Sequence, residues 1–395
     1  MTIFKQLRQF EHENVVFCHD KETGLRAIIA IHNTTLGPAL GGCRMKSYQS
    51  EDDALFDVLR LSRAMTFKSS LAGLHLGGGK SVVLLDHPEQ KTPELLTAFA
   101  RRINQLRGTY IGAGDIGSNT DDLRHMRQTC PWITGLAEQD GGLGDSAILT
   151  SLGVFMGLKA AVKYQLNRDD LVGLRISLQG LGKVGFMLLE KLVNAGCHVT
   201  VTDINPKAME RAKLEFPQIQ TVSNRDIFSV EADIFSPNAI GGILTPQVAH
   251  NLPVSIVAGA ANNVLLNDEA GEVLKQRHIL YAPDFLINAG GVIMVASEIK
   301  GEGLEVARKK VETIYDRTLS VFERAAHDNT PPQQAAVAMA VERIEAARID
   351  KARHEQRGMA TTMPETTMSE TMVLETTYEH GDTKNGQADD GLIRS

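Results

Sequence analysis

One stretch narrows the possible folds more than any other: "LRISLQGLGKVGFMLLEKLVNAGCHVTVTD", residues 174–203, a strand-like run that breaks at a glycine turn and reopens as a helix. Gly180, Gly182 and Gly185 make G-x-G-x-x-G, with Leu181, Lys183 and Val184 between them. In a strand–helix–strand unit the first glycine makes the turn, and the second lets a pyrophosphate approach backbone N–H groups at the helix N-terminus. The third lets the helix pack closely on the strand. Asp203 ends the next strand, 18 residues after Gly185, where a carboxylate accepts hydrogen bonds from ribose hydroxyls. That favours NAD over NADP, although Lys207 and Arg211 stand near enough in sequence to reach a 2′-phosphate. The plainer alternative leaves the glycines as a tight turn and Asp203 as a strand-end cap.

Around this unit, strands and helices alternate: helix 150–165, strand 174–179, helix 183–195, strand 197–203, then strand-like "ADIFSP", "SIVAGAA" and "HILYAP". Such alternation predicts a parallel sheet covered on both faces, with ligands at the carboxyl ends of its strands. The preceding region has a different texture. Residues 12–45 read as short strands and turns with a glycine-rich bend at "LGPALGG", and a helix begins at the N-cap Ser50 and ends near Phe67-Lys68. A second helix covers about 92–107, and "TYIGAGDIG" reads as a strand running into a loop.

The fold class expected is α/β in two domains, which suits 395 residues at 43% hydrophobic content. A mixed α/β substrate or catalytic domain spans 1–147, and a Rossmann-type dinucleotide-binding domain spans 148–330. A charged helix of about 303–327 precedes a last helix, 332–354, so that 331–355 packs back on the first domain. Residues 356–395, repetitive in Thr, Met and Glu, read as a disordered tail.

The stretch "AGLHLGGGKSVVLL", residues 72–85, imitates a P-loop but misses its frame by one residue, since Leu74 stands where the first glycine belongs. It also leads into a β-branched strand rather than a helix. Lys80 therefore needs another role. It lies twelve residues after Lys68, across what reads as a glycine-rich turn, and most lysines so spaced are surface charges. A lysine between glycines and an apolar strand is poorly solvated, however, and beside another cation it loses proton affinity and becomes a usable general base. Asp115, flanked by glycines in "GAGDIGSNTDDL", could hold an ammonium group.

The net charge of −7 carries no basic block, so nucleic acid is not an expected partner. No leader is evident in "MTIFKQLRQFEHEN", and no stretch reads as approaching the roughly 18 apolar residues of a membrane span, so neither membrane nor export is expected and the chain reads as cytoplasmic. Cys18, Cys43, Cys130 and Cys197 lack paired-ligand spacing; they read as reduced, with no metal site.

Together these motifs resemble the Glu/Leu/Phe/Val amino acid dehydrogenases, most closely the branched-chain and aromatic branch. The resemblance runs from about 12 to 350 through "GPALGGCRM", "LRLSRAMTFKSSLAGLHLGGGKSV", "GAGDIGSNTDDL", "TSLGVFMGLKAA", "QGLGKVG", "AGAANN" and "PDFLINAGGVI", all in order. It implies that Lys68 pairs with the substrate carboxylate, that Lys80 is the catalytic base, and that Asp115 helps bind the amino group and relay protons. It places Gly41 and Gly42 along the substrate backbone, Thr150 and Asn262 at the nicotinamide, and Asn288 in the hinge-side loop. The glycines before Lys80 would then let backbone and lysine close on a small amino acid.

The activity implied is reversible, NAD-dependent oxidative deamination to a 2-oxo acid and ammonia, in a homo-oligomer. The family's side-chain pocket falls on Leu40, Ala113, Val292 and Val295, all aliphatic, which suits a branched aliphatic substrate and disfavours glutamate. Phenylalanine or tryptophan stays open, and a methylene separates leucine, valine and isoleucine by only about 1–3 kcal/mol. Two departures bear on the cleft: "GDSAILTS" lacks prolines that many relatives carry before Thr150, and Met294 replaces an asparagine common in branched-chain members. A 2-hydroxy acid dehydrogenase would want His or Arg in place of Lys68, Lys80 and Asp115, and a non-catalytic relative would have lost one of the three.

Overall fold

The computed structural model describes residues 3–362, and the side chains of those up to 354. After helix α1 (Ile3–Phe10) come β1 (Asn14–Asp20), β2 (Leu25–Asn33), β3 (Ala39–Lys46), α2 (Glu51–Leu71), β4 (Gly77–Leu84), α3 (Pro93–Gln105), β5 (Tyr110–Gly114) and α4 (Thr120–Arg127). The five strands form one mixed sheet in the order β1-β2-β4-β3-β5, parallel across β4-β3-β5 and antiparallel elsewhere.

The second half runs α5 (Ala147–Leu166), β6 (Arg175–Gln179), α6 (Lys183–Asn194), β7 (His198–Thr202), α7 (Pro206–Glu215), β8 (Gln220–Thr221), β9 (Ile234–Pro237), α8 (Pro246–Asn251), β10 (Ile256–Val257), α9 (Asp268–Gln276) and β11 (Leu280–Tyr281). Its six strands are all parallel, ordered β11-β10-β9-β6-β7-β8. The order reverses beside β6, the strand that runs into Gly180, so the glycine turn lies at the switch point where such sheets bind ligands. Helices α10 (Asp284–Ile287), α11 (Gly290–Ile299), α12 (Leu304–Glu312), α13 (Ile314–His327) and α14 (Pro332–Thr362) follow.

Six sequence expectations need correction. "LGPALGG" is strand from Ala39 onward rather than a bend, paired with β4 on one side and β5 on the other. Helix α2 runs to Leu71, past Lys68, because distant residues satisfy its last carbonyls: Arg343 donates to Ser70 O at 2.9 Å and Arg317 to Leu71 O at 3.3 Å. The charged helix divides at Thr313, whose hydroxyl donates back to Lys310 O at 2.7 Å. By length and composition α5 does qualify as a membrane span, but it is packed by α6, α10, α11, α12 and α13 as the core helix of the second half. Finally, α14 continues to Thr362, past the expected 354, burying Ala336 and Ala340 with Leu71, Leu286 and Val321. The rest of the expected tail lies outside the described residues.

Gly77–Gly79 also belong to strand β4 and not to a turn. A Cβ on Gly78 would come 2.1 Å from Thr66 N, and one on Gly79 would come 2.7 Å from the Tyr110 ring. These glycines therefore let α2 and Tyr110 close on the sheet, a packing role rather than clearance for a ligand. Gly78→Ala must push aside helix backbone, which cannot rotate away as a side chain can. Its expected cost is about 3 kcal/mol, the upper end for overpacking; urea unfolding within about 0.5 kcal/mol of the parent would contradict so close a seat.

Candidate active site

Three adjacent strands deliver the first group of side chains. Lys80 comes from central β4 and is 7% exposed, Asp115 follows β5 directly, and Gly42 on β3 pairs with Ala113. Lys80 Nζ and Asp115 Oδ2 form an ion pair. Arg44 Nη2 approaches Asp115 Oδ1 at 3.5 Å, and Ile116 N donates to the same oxygen at 2.6 Å. Burial alone would raise the Asp115 carboxyl, but Lys80 and Arg44 outweigh it and hold the group below the usual carboxylate range. A Cβ on Gly42 would come 2.8 Å from Asp115 Cβ and 3.1 Å from Lys80 Nζ, so this glycine keeps the space at the pair open.

Lys68 loses proton affinity by burial. It sits in the last turn of α2, partly exposed, and its pKa falls to about 8. Burial is the main cause; Asp284 opposes it, and the charge of Lys80 adds to it. Lys80 meets a counter-ion in Asp115. Asp284 is itself buried, accepting from Val264 N and Tyr281 Oη at 2.9 Å each, and burial pushes its carboxyl up.

Lys68 Nζ donates to Asn262 Oδ1 at 3.3 Å, and Asn288 Nδ2 donates to the same oxygen at 2.8 Å and to Ala260 O at 3.0 Å. Lys68, Asn262 and Asn288 thus form one polar chain from α2 to the loop beyond β10. Thr150 is not part of it: its hydroxyl donates to Ser146 O at 2.8 Å in its own helix.

Leu40, Ala113, Val292 and Val295 fall into one apolar cluster with Leu74, Leu76, Ile111 and Ala296. The last four were missed, and two of them had a local signal. Ile111 is two residues from Ala113 on one face of β5, and Ala296 is four residues from Val292 on one face of α11. Glu298 was missed as well. It spans from α11 to the segment after α4, accepting from Thr134 Oγ1 at 2.8 Å and Gly135 N at 2.9 Å. Met294 turns away into the core, 2% exposed.

At the glycine turn, Gly180 has φ +96°, and a Cβ on Gly185 would come 2.1 Å from Gly180 O. Nothing lies within 4 Å of a Cβ placed on Gly182, the N-cap of α6, so the helix N-terminus is open to an approaching anion. Lys183 pairs with Asp145 at 2.9 Å beside this turn. Asp203 Oδ2 accepts from Leu181 N at 2.6 Å, and Oδ1 accepts from Asn205 N at 2.7 Å. Arg211 is engaged by Glu215 at 2.7 Å and lies 3.8 Å from the centre of the Phe186 ring. The backbone therefore fits a dinucleotide, and a carboxylate rather than a free arginine stands where the ribose would lie.

A doubly wound parallel sheet beside a smaller mixed sheet, with two lysines and an aspartate at the apolar cluster, defines the architecture of an amino acid dehydrogenase. Comparison with known proteins agrees. Residues 12–132 match the Glu/Leu/Phe/Val dehydrogenase dimerisation domain, and residues 200–352 match the Glutamate/Leucine/Phenylalanine/Valine dehydrogenase family. The chain is 44% identical to a leucine dehydrogenase of Geobacillus stearothermophilus over 91% of its length and 97% of that protein's. It is equally 44% identical to a phenylalanine dehydrogenase of Caldalkalibacillus thermarum, over 85% and 92%. The L-tryptophan dehydrogenase structure from Nostoc punctiforme superposes with a TM-score of 0.78 at 40% identity, covering 88% of this chain and all of that one. The chain belongs to the Glu/Leu/Phe/Val dehydrogenase family.

Proposed function

We propose that the protein oxidises a hydrophobic, branched-chain L-amino acid with NAD⁺ and water, releasing the 2-oxo acid and ammonia. The carrying observation is the Lys80–Asp115 ion pair at one end of a wholly aliphatic cluster, with Lys68 beside it. Lys68 takes the substrate carboxylate, and the cluster from Leu40 to Ala296 takes the side chain. The arriving ammonium competes with Lys80 for the Asp115 carboxylate, and loss of one proton from this crowded set frees an amine to act as base. When bound at Gly180–Gly185, NAD⁺ supplies the acceptor for the hydrogen that leaves Cα with its electron pair. Lys80 then draws a proton from the water that attacks the resulting imine carbon, and Asp115 relays a proton to the departing nitrogen. Closure of the two sheet-bearing halves over the substrate would exclude bulk water during these steps.

NAD is favoured over NADP because the Asp203 carboxylate repels a 2′-phosphate and Arg211 is already engaged. Self-association into a homo-oligomer is part of the same reading, supported by the match to a dimerisation domain. Aromatic substrates are the second reading, favoured by the phenylalanine and tryptophan dehydrogenases among the similar proteins. An amino acid panel with NAD⁺ and NADP⁺ tests both, following reduced nicotinamide, with 2-hydroxy acids as controls. Leucine, valine or isoleucine is expected to exceed phenylalanine and tryptophan in kcat/KM by about tenfold or more with NAD⁺. A preference for an aromatic substrate would replace the first reading with the second, and hydroxy acid turnover alone would reject both.

A further inference from the structure

A cavity of about 290 Å³ opens against the Gly73–His75 turn and α11, and Leu74 of the substrate cluster forms part of its wall. Its walls include Gly73, His75, Ile293, Lys300, Lys310 and Arg317. Of the three cations, Lys310 is ion-paired with Glu302, whose carboxylate also feels the charge of Lys300. Arg317 contacts Leu71 O and Thr313 Oγ1, and Arg343, on the far side of the turn, contacts Ser70 O and Leu74 O. Among the described residues, no carboxylate lies within ion-pair distance of Arg317, Arg343 or Lys300.

Among the described residues, then, two part-buried guanidinium groups close enough to repel each other have no counter-ion. Burial lowers the affinity of each for its proton, and Arg317 lowers that of Arg343 further. The C-terminal carbonyls of α2 offset part of this, since a helix end carries roughly half a negative charge. That is too little for two arginines, and Lys300 adds a charge that Glu302 shares with Lys310.

We propose that this cavity is a regulatory site for a small anion of at least two negative charges, bearing phosphate or several carboxylates, held by Arg317 and Lys300. Its place in the fold gives it leverage on catalysis. The turn it touches joins Lys68 on α2 to Lys80 on β4 and carries Leu74 and Leu76 of the substrate cluster. Helix α11 presents Ile293 to the cavity and Val292, Val295 and Ala296 to the substrate cluster. A Cβ on Gly73 would come 2.3 Å from Arg317 Nη2, so drawing Arg317 onto an anion moves a group in contact with that turn. Binding at the site does not depend on the proposed activity; its effect on KM does.

The test is isothermal titration of the full chain with inorganic pyrophosphate and with citrate at fixed ionic strength, with and without saturating NAD⁺. Parallel titrations use Lys300→Glu, whose side chain is exposed, and Arg317→Gln. Binding that survives NAD⁺ and weakens about tenfold or more in Lys300→Glu is expected, whichever of the two anions proves tighter, together with a changed KM for the amino acid in the parent. Binding displaced by NAD⁺ and indifferent to Lys300→Glu would belong to the glycine turn and would overturn the proposal, as would no binding of either anion. Should Arg317→Gln fail to fold, Lys300→Glu decides alone.

Discussion

Lys80→Ala is expected to lower kcat by about 10³-fold, within the range spanned by general base catalysis, and to leave dinucleotide affinity within about twofold of the parent. The two effects separate because Lys80 lies in β4 of the mixed sheet, while the dinucleotide motif lies in the parallel sheet at Gly180–Gly185. The variant also strands Asp115, which keeps Arg44 at 3.5 Å and the Ile116 amide as partners. Removing one member of a buried ion pair typically costs about 3–5 kcal/mol, so a lowered unfolding midpoint is expected and activity must be read well below it. Lys80→Arg restores the charge without a usable base, since guanidinium does not give up its proton near neutrality. A stable Lys80→Arg protein is therefore expected to be as inactive as Lys80→Ala. Substantial turnover by either variant, measured as reduced nicotinamide per active site, would move the base elsewhere, with Lys68 next in line.

The sequence made the second half of the fold readable because a doubly wound sheet repeats a local rule: apolar strand, polar turn, amphipathic helix. Its strands fall within a residue or two of expectation at β6 and β7. The first half was harder for a physical reason. β3 and β4 carry glycines that look like turns in one dimension and are strand in three: α2 and Tyr110 occupy the volume side chains at Gly78 and Gly79 would need, and β4 backbone that at Gly41. The end of α2 was misjudged likewise, because Arg317 and Arg343 satisfy its carbonyls from more than 240 residues away. At the site, periodicity could have found Ile111 and Ala296, but nothing local marks Asp284 or Glu298 as partners of distant groups. The same limit hid the loss of proton affinity at Lys68, whose burial and whose neighbour Asp284 come from distant parts of the chain. Asp115, the counter-ion of Lys80, is brought to it only by the pairing of β5 with β3 and of β3 with β4.

Lys68→Met is expected to raise KM for the amino acid by about 10²-fold, equivalent to the 2–5 kcal/mol seen on truncating one partner of a desolvated charge pair. kcat should change less, because the carboxylate is held in the ground state and the transition state alike. The same substitution is expected to stabilise the fold at neutral pH. Lys68 loses its proton near pH 8 in the folded chain against an ordinary value of 10.5, so below pH 8 both folded and unfolded chains carry the charge and the folded one bears its burial. Between about 8 and 10.5 the folded chain sheds the proton while the unfolded chain retains it, so parent stability rises with pH across that window. Methionine at 68 removes both the penalty and the rise. Its advantage in unfolding midpoint should be largest near pH 7 and shrink toward pH 10. A non-reactive branched carboxylate, lacking the amino group, isolates the binding side: its affinity for the parent should fall above pH 8 and stay flat, and weak, for Lys68→Met. Parallel pH profiles for the two proteins would show that the charge on Lys68 does not hold the carboxylate, and the orientation assigned to the substrate would have to be reversed.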